Sequence, residues 1–212
     1  AGPPAGAPPA LAPPGPAGSP PPASWAVARD GLEGDSVRYP GTWTLVTTAN
    51  TTRGVFLRNP FNAEENLFVS CSSPSSSNYS SVRDLGSPED AAKGVIDRYL
   101  NEFMSTRLGI RRESEIVRAG EREGKDGRLY YDVAVRIRSF AASNQYGLTQ
   151  QERPQTLEWD RTQLASFGVE NKRLYELRIQ VPSSKFATDE GQLQEILDSF
   201  ELFTMEPGKT MI

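Results

Sequence analysis

Apolar and polar residues alternate strictly along two stretches of this chain. Leu129, Tyr131, Val133, Val135 and Ile137 alternate with Tyr130, Asp132, Ala134, Arg136 and Arg138. Tyr175, Leu177, Ile179 and Val181 alternate with Glu176, Arg178 and Gln180. A period of two predicts β-strands. Shorter runs predict further strands at 55–59, 67–72 and 115–121, with fainter signals at 42–47 and 156–164. Lys125-Asp126-Gly127 is a hairpin turn, because Gly tolerates the positive φ that such turns need.

Two stretches have helical spacing instead. The first opens at Ser87, with Pro88 in the first helical position and Glu89 and Asp90 where the helix dipole favours acids. Ala92, Val95, Ile96, Tyr99, Leu100, Phe103 and Met104 follow at i, i+3, i+4 intervals, and Gly109 ends the run. The second opens near Thr188, followed by Asp189 and Glu190, and aligns Leu193, Ile196, Leu197 and Phe200. Each has a single apolar stripe and needs something flat to cover. The order strands, helix, strands, helix predicts an α+β sandwich on an antiparallel sheet, not a doubly wound parallel one. A polar stretch without periodicity over 139–155 reads as a loop or insertion, and no internal repeat is found.

Composition adds a tail. Residues 1–24 carry no charge, hold more than half of the seventeen prolines, and offer only Leu11 as a large apolar residue. Such a segment cannot bury enough apolar surface to offset its conformational entropy. It reads as an extended spacer, or as a docking arm that orders on a partner. It lacks the basic start and apolar core of a secretory signal peptide, and a start at Ala rather than Met suits a processed N-terminus.

All 23 basic and 27 acidic residues follow Trp25, for a net charge of −4. That length suits one domain with a real core. Mild acidity without a basic patch argues against nucleic acid, and no apolar run suits direct membrane insertion. Histidine is absent, which removes the commonest general base and transition-metal ligand. The single cysteine excludes an intrachain disulfide and a cysteine-cluster zinc site.

Little catalytic chemistry remains. There is no phosphate loop, no nucleophile elbow and no calcium-binding helix–loop–helix signature. Cys71 shares strand parity with Leu67 and Val69 and reads as core, with a reactive thiol as the alternative. Asn62, Glu64, Glu65 and Asn66 offer oxygen ligands for Ca²⁺ or Mn²⁺, or else form a solvated turn. Asp189 and Glu190 read as solvated helix-start acids, or as a second oxygen cluster. Arg107, Arg111 and Arg112 read as solvated cations at the first helix's C-terminus, with an acidic partner as the alternative.

Several motifs in order resemble the PsbP family of thylakoid lumen proteins. Val37-Arg38-Tyr39-Pro40-Gly41-Thr42-Trp43 resembles its opening. Phe56-Leu57-Arg58-Asn59-Pro60-Phe61-Asn62-Ala63-Glu64-Glu65-Asn66-Leu67, running on to Phe68-Val69, resembles its next strand–loop–strand. Asp84-Leu85-Gly86-Ser87-Pro88-Glu89 is similar to its approach to the first helix. Gly127-Arg128-Leu129-Tyr130-Tyr131, Asn171-Lys172-Arg173-Leu174-Tyr175 and the closing Phe200 complete the series.

The resemblance implies an α/β/α sandwich over 25–206, between the tail at 1–24 and a short C-terminal tail at 207–212. It implies a non-enzymatic auxiliary factor in the chloroplast thylakoid lumen, peripheral to the membrane, at photosystem II, photosystem I or the NADH dehydrogenase-like complex. The alternative it raises is a calcium-binding extrinsic subunit of the oxygen-evolving complex of photosystem II. No cofactor is required, with Ca²⁺ open through Asn62, Glu64 and Glu65.

The departures are specific. Asn59 stands where the family has an acid, no Gly follows Asn171, and the tail is uncharged. A histidine metal site is impossible. These point to a divergent PsbP-domain protein. Partner contacts are expected first in the 139–155 stretch, through Asn144, Gln145 and Tyr146, then at the three arginines and the 59–65 loop.

Deleting 1–24 is expected to leave the melting temperature unchanged by circular dichroism. A loss of more than a few degrees, roughly the effect of 1 kcal/mol on a domain this size, would show that the tail packs on the sandwich.

Overall fold

Both long alternating segments form central strands, and each has a helix layer on either face. The structure, a computed structural model, describes residues 24–46, 54–75, 77–102, 109–142 and 154–204. Of the tail, only Ser24 lies within this set. A seven-stranded antiparallel sheet has the order β3 (Thr44–Leu45), β4 (Val55–Arg58), β5 (Asn66–Cys71), β9 (Arg173–Pro182), β8 (Gln155–Glu170), β7 (Leu129–Ala142), β6 (Ile110–Glu123). A second, three-stranded sheet joins β1 (Trp25–Asp30), β2 (Asp35–Pro40) and β10 (Glu201–Leu202). The antiparallel α+β architecture is the one the sequence predicts. The small sheet is an addition to it.

Helix α1 (Pro88–Glu102) covers one face of the large sheet. Its Ala91, Ala92 and Val95 pack on Tyr131, Val133, Val135, Ala165 and Phe167, with Val82 of a preceding 3-10 turn. Helix α2 (Ser183–Asp198) covers the other face, where Leu193, Ile196 and Leu197 meet Tyr130, Ala134, Leu164, Tyr175, Leu177 and Ile179. Both faces of β7 are therefore buried. Strict alternation there marks which helix a residue meets, not core against solvent.

Three expectations change. The second helix starts at Ser183 and not near Thr188; it kinks at Asp189, whose φ of −113° and ψ of 18° leave the helical range. Asp189 is buried and bonded to Lys185 Nζ at 2.9 Å, not a solvated first-turn acid. Of the stretch given to the insertion, 139–142 belongs to β7 and Gln155 to β8.

Turn chemistry sets the registers. Gly127 has φ of 74° in the β6–β7 hairpin, as expected of it. The β8–β9 turn uses Asn171 and Lys172, both left-handed at φ 49° and 61°. That is the conformation a two-residue hairpin favours, with Lys172 occupying the place Gly usually holds. At Gly168 any Cβ would stand 2.6 Å from the Tyr130 ring, so the ring itself excludes a side chain.

Burial on both faces leaves Asp132 of β7 inside, 8% exposed. Arg122 of β6 answers it at 2.7 Å through Nε. The same guanidinium donates to Ser166 Oγ at 3.2 Å and to the Leu197 carbonyl at 3.1 Å, while Ser166 donates to Asp132 at 2.6 Å. Three strands and the end of α2 thus meet at one cation.

Arg122→Ala is expected to cost about 3–5 kcal/mol in urea unfolding, because it strands a buried carboxylate. Adding Asp132→Asn should restore part of that. A loss below about 1 kcal/mol would mean that water screens the pair.

Candidate functional site

The turn between β4 and β5 is closed by its own side chains. Asn59 N–H donates to the Glu65 carbonyl at 3.0 Å, Glu65 N–H to Asn62 at 3.1 Å, and Asn62 N–H to Asn59 at 3.3 Å. Both side-chain amides then donate to the Glu65 carboxylate, Asn59 to Oε2 and Asn62 to Oε1, each at 2.9 Å. Their carbonyl oxygens accept from the backbone of Phe61 and Glu64, at 3.0 and 3.1 Å. From outside, Arg161 grips Glu64 at 3.0 Å and Gln180 donates to the Glu64 carbonyl at 3.2 Å. Glu65 is 6% exposed, whereas Phe61 at the tip is 87% exposed.

Beneath this turn lies a cleft of about 320 Å³ between β9, the kinked α2 and the segment before β3. Trp43, Asn59, Glu65, Lys185, Asp189 and Gln192 line it. Lys185 is bound to Asp189, and that bond raises its pKa, with Glu65 adding to the effect. Among the described lining residues, the Glu65 and Asp189 carboxylates both face the Lys185 ammonium.

Of the three oxygen-ligand candidates, the side chains of Asn62 and Glu65 meet, whereas Glu64 turns its carboxylate to Arg161. Their carboxylates are engaged by the two amides and by Arg161. Among the described residues no three Asp, Glu, Cys or His side chains converge as a metal ion would need.

The arginines sit elsewhere than expected. Arg111 and Arg112 are on β6 and not at a helix end, because the chain leaves Gly109 at φ 85° and turns straight into the strand. Arg111 pairs with Glu113 and lies 4.6 Å over the Phe140 ring. Arg112 lies over Trp159 at 5.9 Å, with Arg161 over the same ring at 4.7 Å and Tyr99 edge-on to it at 6.1 Å. Both lie against aromatic rings; Arg111 is still exposed to solvent, as expected, whereas Arg112 is half-buried. Arg107 lies outside the described residues, as do Asn144, Gln145 and Tyr146.

A family model described as PsbP matches residues 28–202, from β1 into β10. The chain belongs to the PsbP family. It is 46% identical over 173 residues to PsbP domain-containing protein 1, chloroplastic, of Arabidopsis thaliana. That match covers 82% of this chain and 60% of the relative, so the chain spans less than two thirds of that protein. The solution structure of cyanobacterial PsbP (CyanoP) from Synechocystis superposes with a TM-score of 0.61 at 21% identity. The superposition covers 85% of this chain and 94% of that one, which shows a shared fold.

Within this PsbP domain, Phe61, Lys185 and Gln192 were not singled out by sequence as parts of a site, and Asp189 only in an oxygen cluster with Glu190. For Phe61 a signal existed: a large aromatic between Pro60 and Asn62, where a turn calls for polar residues. The pairing of Lys185 with Asp189, one helical turn apart, was hidden because the helix was expected to open only near Thr188.

Cys71 is half-buried beside the core and not wholly inside it. Its Sγ lies 3.7 Å from the Ser72 carbonyl, and burial pushes the thiol up to about 11. The thiolate is the reactive form, and at neutral pH almost none is present. A thiol reagent is expected to label the native chain slowly near pH 7 and faster as pH approaches 11. Rapid labelling at neutral pH would restore the reactive-thiol reading.

Proposed function

We propose that the chain is a non-enzymatic auxiliary protein of the chloroplast thylakoid lumen that docks on the lumenal face of a photosynthetic membrane complex. The observation that carries this reading is the PsbP family match over nearly the whole described domain, joined to a chloroplastic relative at 46% identity. The absence of histidine from the sequence supports a binding role over hydrolytic chemistry. The calcium-binding reading is the weaker one, because Glu64 and Glu65 are already held by Arg161, Asn59 and Asn62.

Among the surfaces proposed for contact, the 143–153 connection with Asn144, Gln145 and Tyr146 remains a proposal from sequence. Arg111 and Arg112 are held by their neighbours. The 59–65 turn is described throughout.

Purified chain mixed with complexes from detergent-solubilised thylakoids is expected to co-migrate with a chlorophyll-containing band on a sucrose gradient. Migration at its free position in every fraction would sink the proposal. Saturable heat in a calorimetric Ca²⁺ titration, lost in Glu65→Gln, would put the calcium reading first.

A further inference from the structure

We infer that Asp35 is a proton-operated latch: the β1–β2 hairpin is seated while this side chain is protonated and loosens when it ionises. The inference is independent of the docking role proposed above. Asp35 opens β2, the middle strand of the small sheet, with Asp30 of β1 opposite it on one side and Leu202 of β10 on the other. It is 1% exposed, and its Oδ1 is buried with no hydrogen-bond partner. A side chain that only filled this space would serve better apolar, because a buried carboxylate without a partner is costly.

The surroundings oppose ionisation. Burial first, then the like charges of Asp30 and of Glu33 in the β1–β2 turn, push the Asp35 carboxyl up to about 7. Cys71 of β5 also feels the charge of Asp35, and its own thiol stays neutral. On β9, Arg173 gives its guanidinium to Glu33 at 2.5 Å and to the Ser72 carbonyl at 2.7 Å. Tyr175 donates its hydroxyl to the Glu33 carbonyl at 2.6 Å. Arg29 of β1 lies over the Phe203 ring at 3.9 Å.

Two amides report on the seam that the latch holds. Phe203 N–H donates to the Gly34 carbonyl and Arg38 N–H to Ser199 Oγ, each at 2.9 Å. Strand β10 has its own mooring, since Leu202 N–H donates to the Tyr130 hydroxyl at 3.0 Å and to Asp126 at 3.2 Å. Ionisation therefore frees the hairpin and leaves β10 in place. Ser24, at the end of the tail, accepts from Gly41 N–H at the foot of the same hairpin at 2.9 Å, so the latch also sets where the N-terminal tail leaves the domain. In an open hairpin the carboxyl returns to about 3.9. The seated form holds the extra proton. Seating is fully favoured below about pH 4, weakens as pH rises, and is weakest above about 7.

The test is amide hydrogen exchange on the full chain, corrected for intrinsic rates. From pH 5.5 to 8 the protection of the Phe203 and Arg38 amides is expected to fall at least about tenfold, as a carboxyl shifting from about 3.9 to about 7 requires. The Leu202 amide and those of β7 should hold. In Asp35→Asn, which cannot ionise, the two seam amides should be equally protected at both pH values. A carboxyl ¹³C titration of Asp35 in the parent needs no variant, and its midpoint is expected near 7. A midpoint below about 5, flat protection in the parent, or an equal fall in Asp35→Asn overturns the latch. A fall shared by Leu202 and β7 is global unfolding and overturns it as well. Calcium chloride that restores seam protection at pH 8 assigns the site to a metal cation and removes the proton from its role.

Discussion

One arginine holds the two halves of the sandwich in register. Because α1 and α2 cover opposite faces, β7 is buried on both sides, and its Asp132 is left with little access to water. A carboxylate in that position is tolerable only with a cation and further hydrogen bonds. Arg122 supplies the cation from β6, while Ser166 of β8 supplies a hydroxyl. The guanidinium then continues to the Leu197 carbonyl in the last turn of α2, where a positive charge also suits the helix dipole. Its guanidinium carbon lies 4.7 Å over the Tyr130 ring. The edge strand, two inner strands and a helix end are thereby fixed by the demand of one buried charge. That anchors the C-terminal end of α2. The kink at Asp189 and the cleft lie nearer the other end of the same helix.

Arginine–carboxylate pairs of this kind join the other layers as well. Arg98 of α1 grips Glu176 of β9 with two bonds, at 2.7 and 3.0 Å, across the face opposite to α2. Arg173 of β9 meets Glu33 of the β1–β2 turn at 2.5 Å and ties the small sheet to the large one. Arg161 of β8 holds Glu64 of the 59–65 turn. Each pair returns little net stability after desolvation, but the planar guanidinium fixes direction as well as distance. Asp35 of β2 is the contrast. It is 1% exposed, and burial, with Asp30 and Glu33 nearby, pushes its carboxyl up to about 7. Here the carboxyl is accommodated partly by holding its proton.

What the sequence revealed and what it hid follow from which residues carry local information. The long strands and α1 were legible because their periodicity is written in large apolar residues. The first half of α2 was not, since Ser183, Ser184 and Lys185 give no stripe and Phe186 stands alone before the kink. Strands β1, β2 and β10 are short, and β10 pairs with a strand far away in sequence, as in Leu202 opposite Asp35. Arg111 and Arg112 follow a glycine that resembles a helix stop, and an edge strand with charges on both faces shows no alternation to correct that impression. The 59–65 turn was legible as a cluster of Asn and Glu. Whether those groups bind an ion or one another depends on which way two amides point, and that is a tertiary fact.

The same bookkeeping of charges distinguishes the 59–65 turn from the β6 edge. The β6 edge is long, but its cations are occupied: Arg111 by Glu113 and Phe140, Arg112 by Trp159, Arg118 by Glu190 and Gln194, Arg122 by the central clamp. A register shift between Ile116 and Arg118 breaks the ladder a partner strand would need to follow, and charged edges discourage such pairing. At the turn the arrangement runs the other way. Its polar groups satisfy one another and so stiffen the support, leaving the Phe61 ring in solvent. A partner that buried the ring could do so without breaking any bond that holds the turn together.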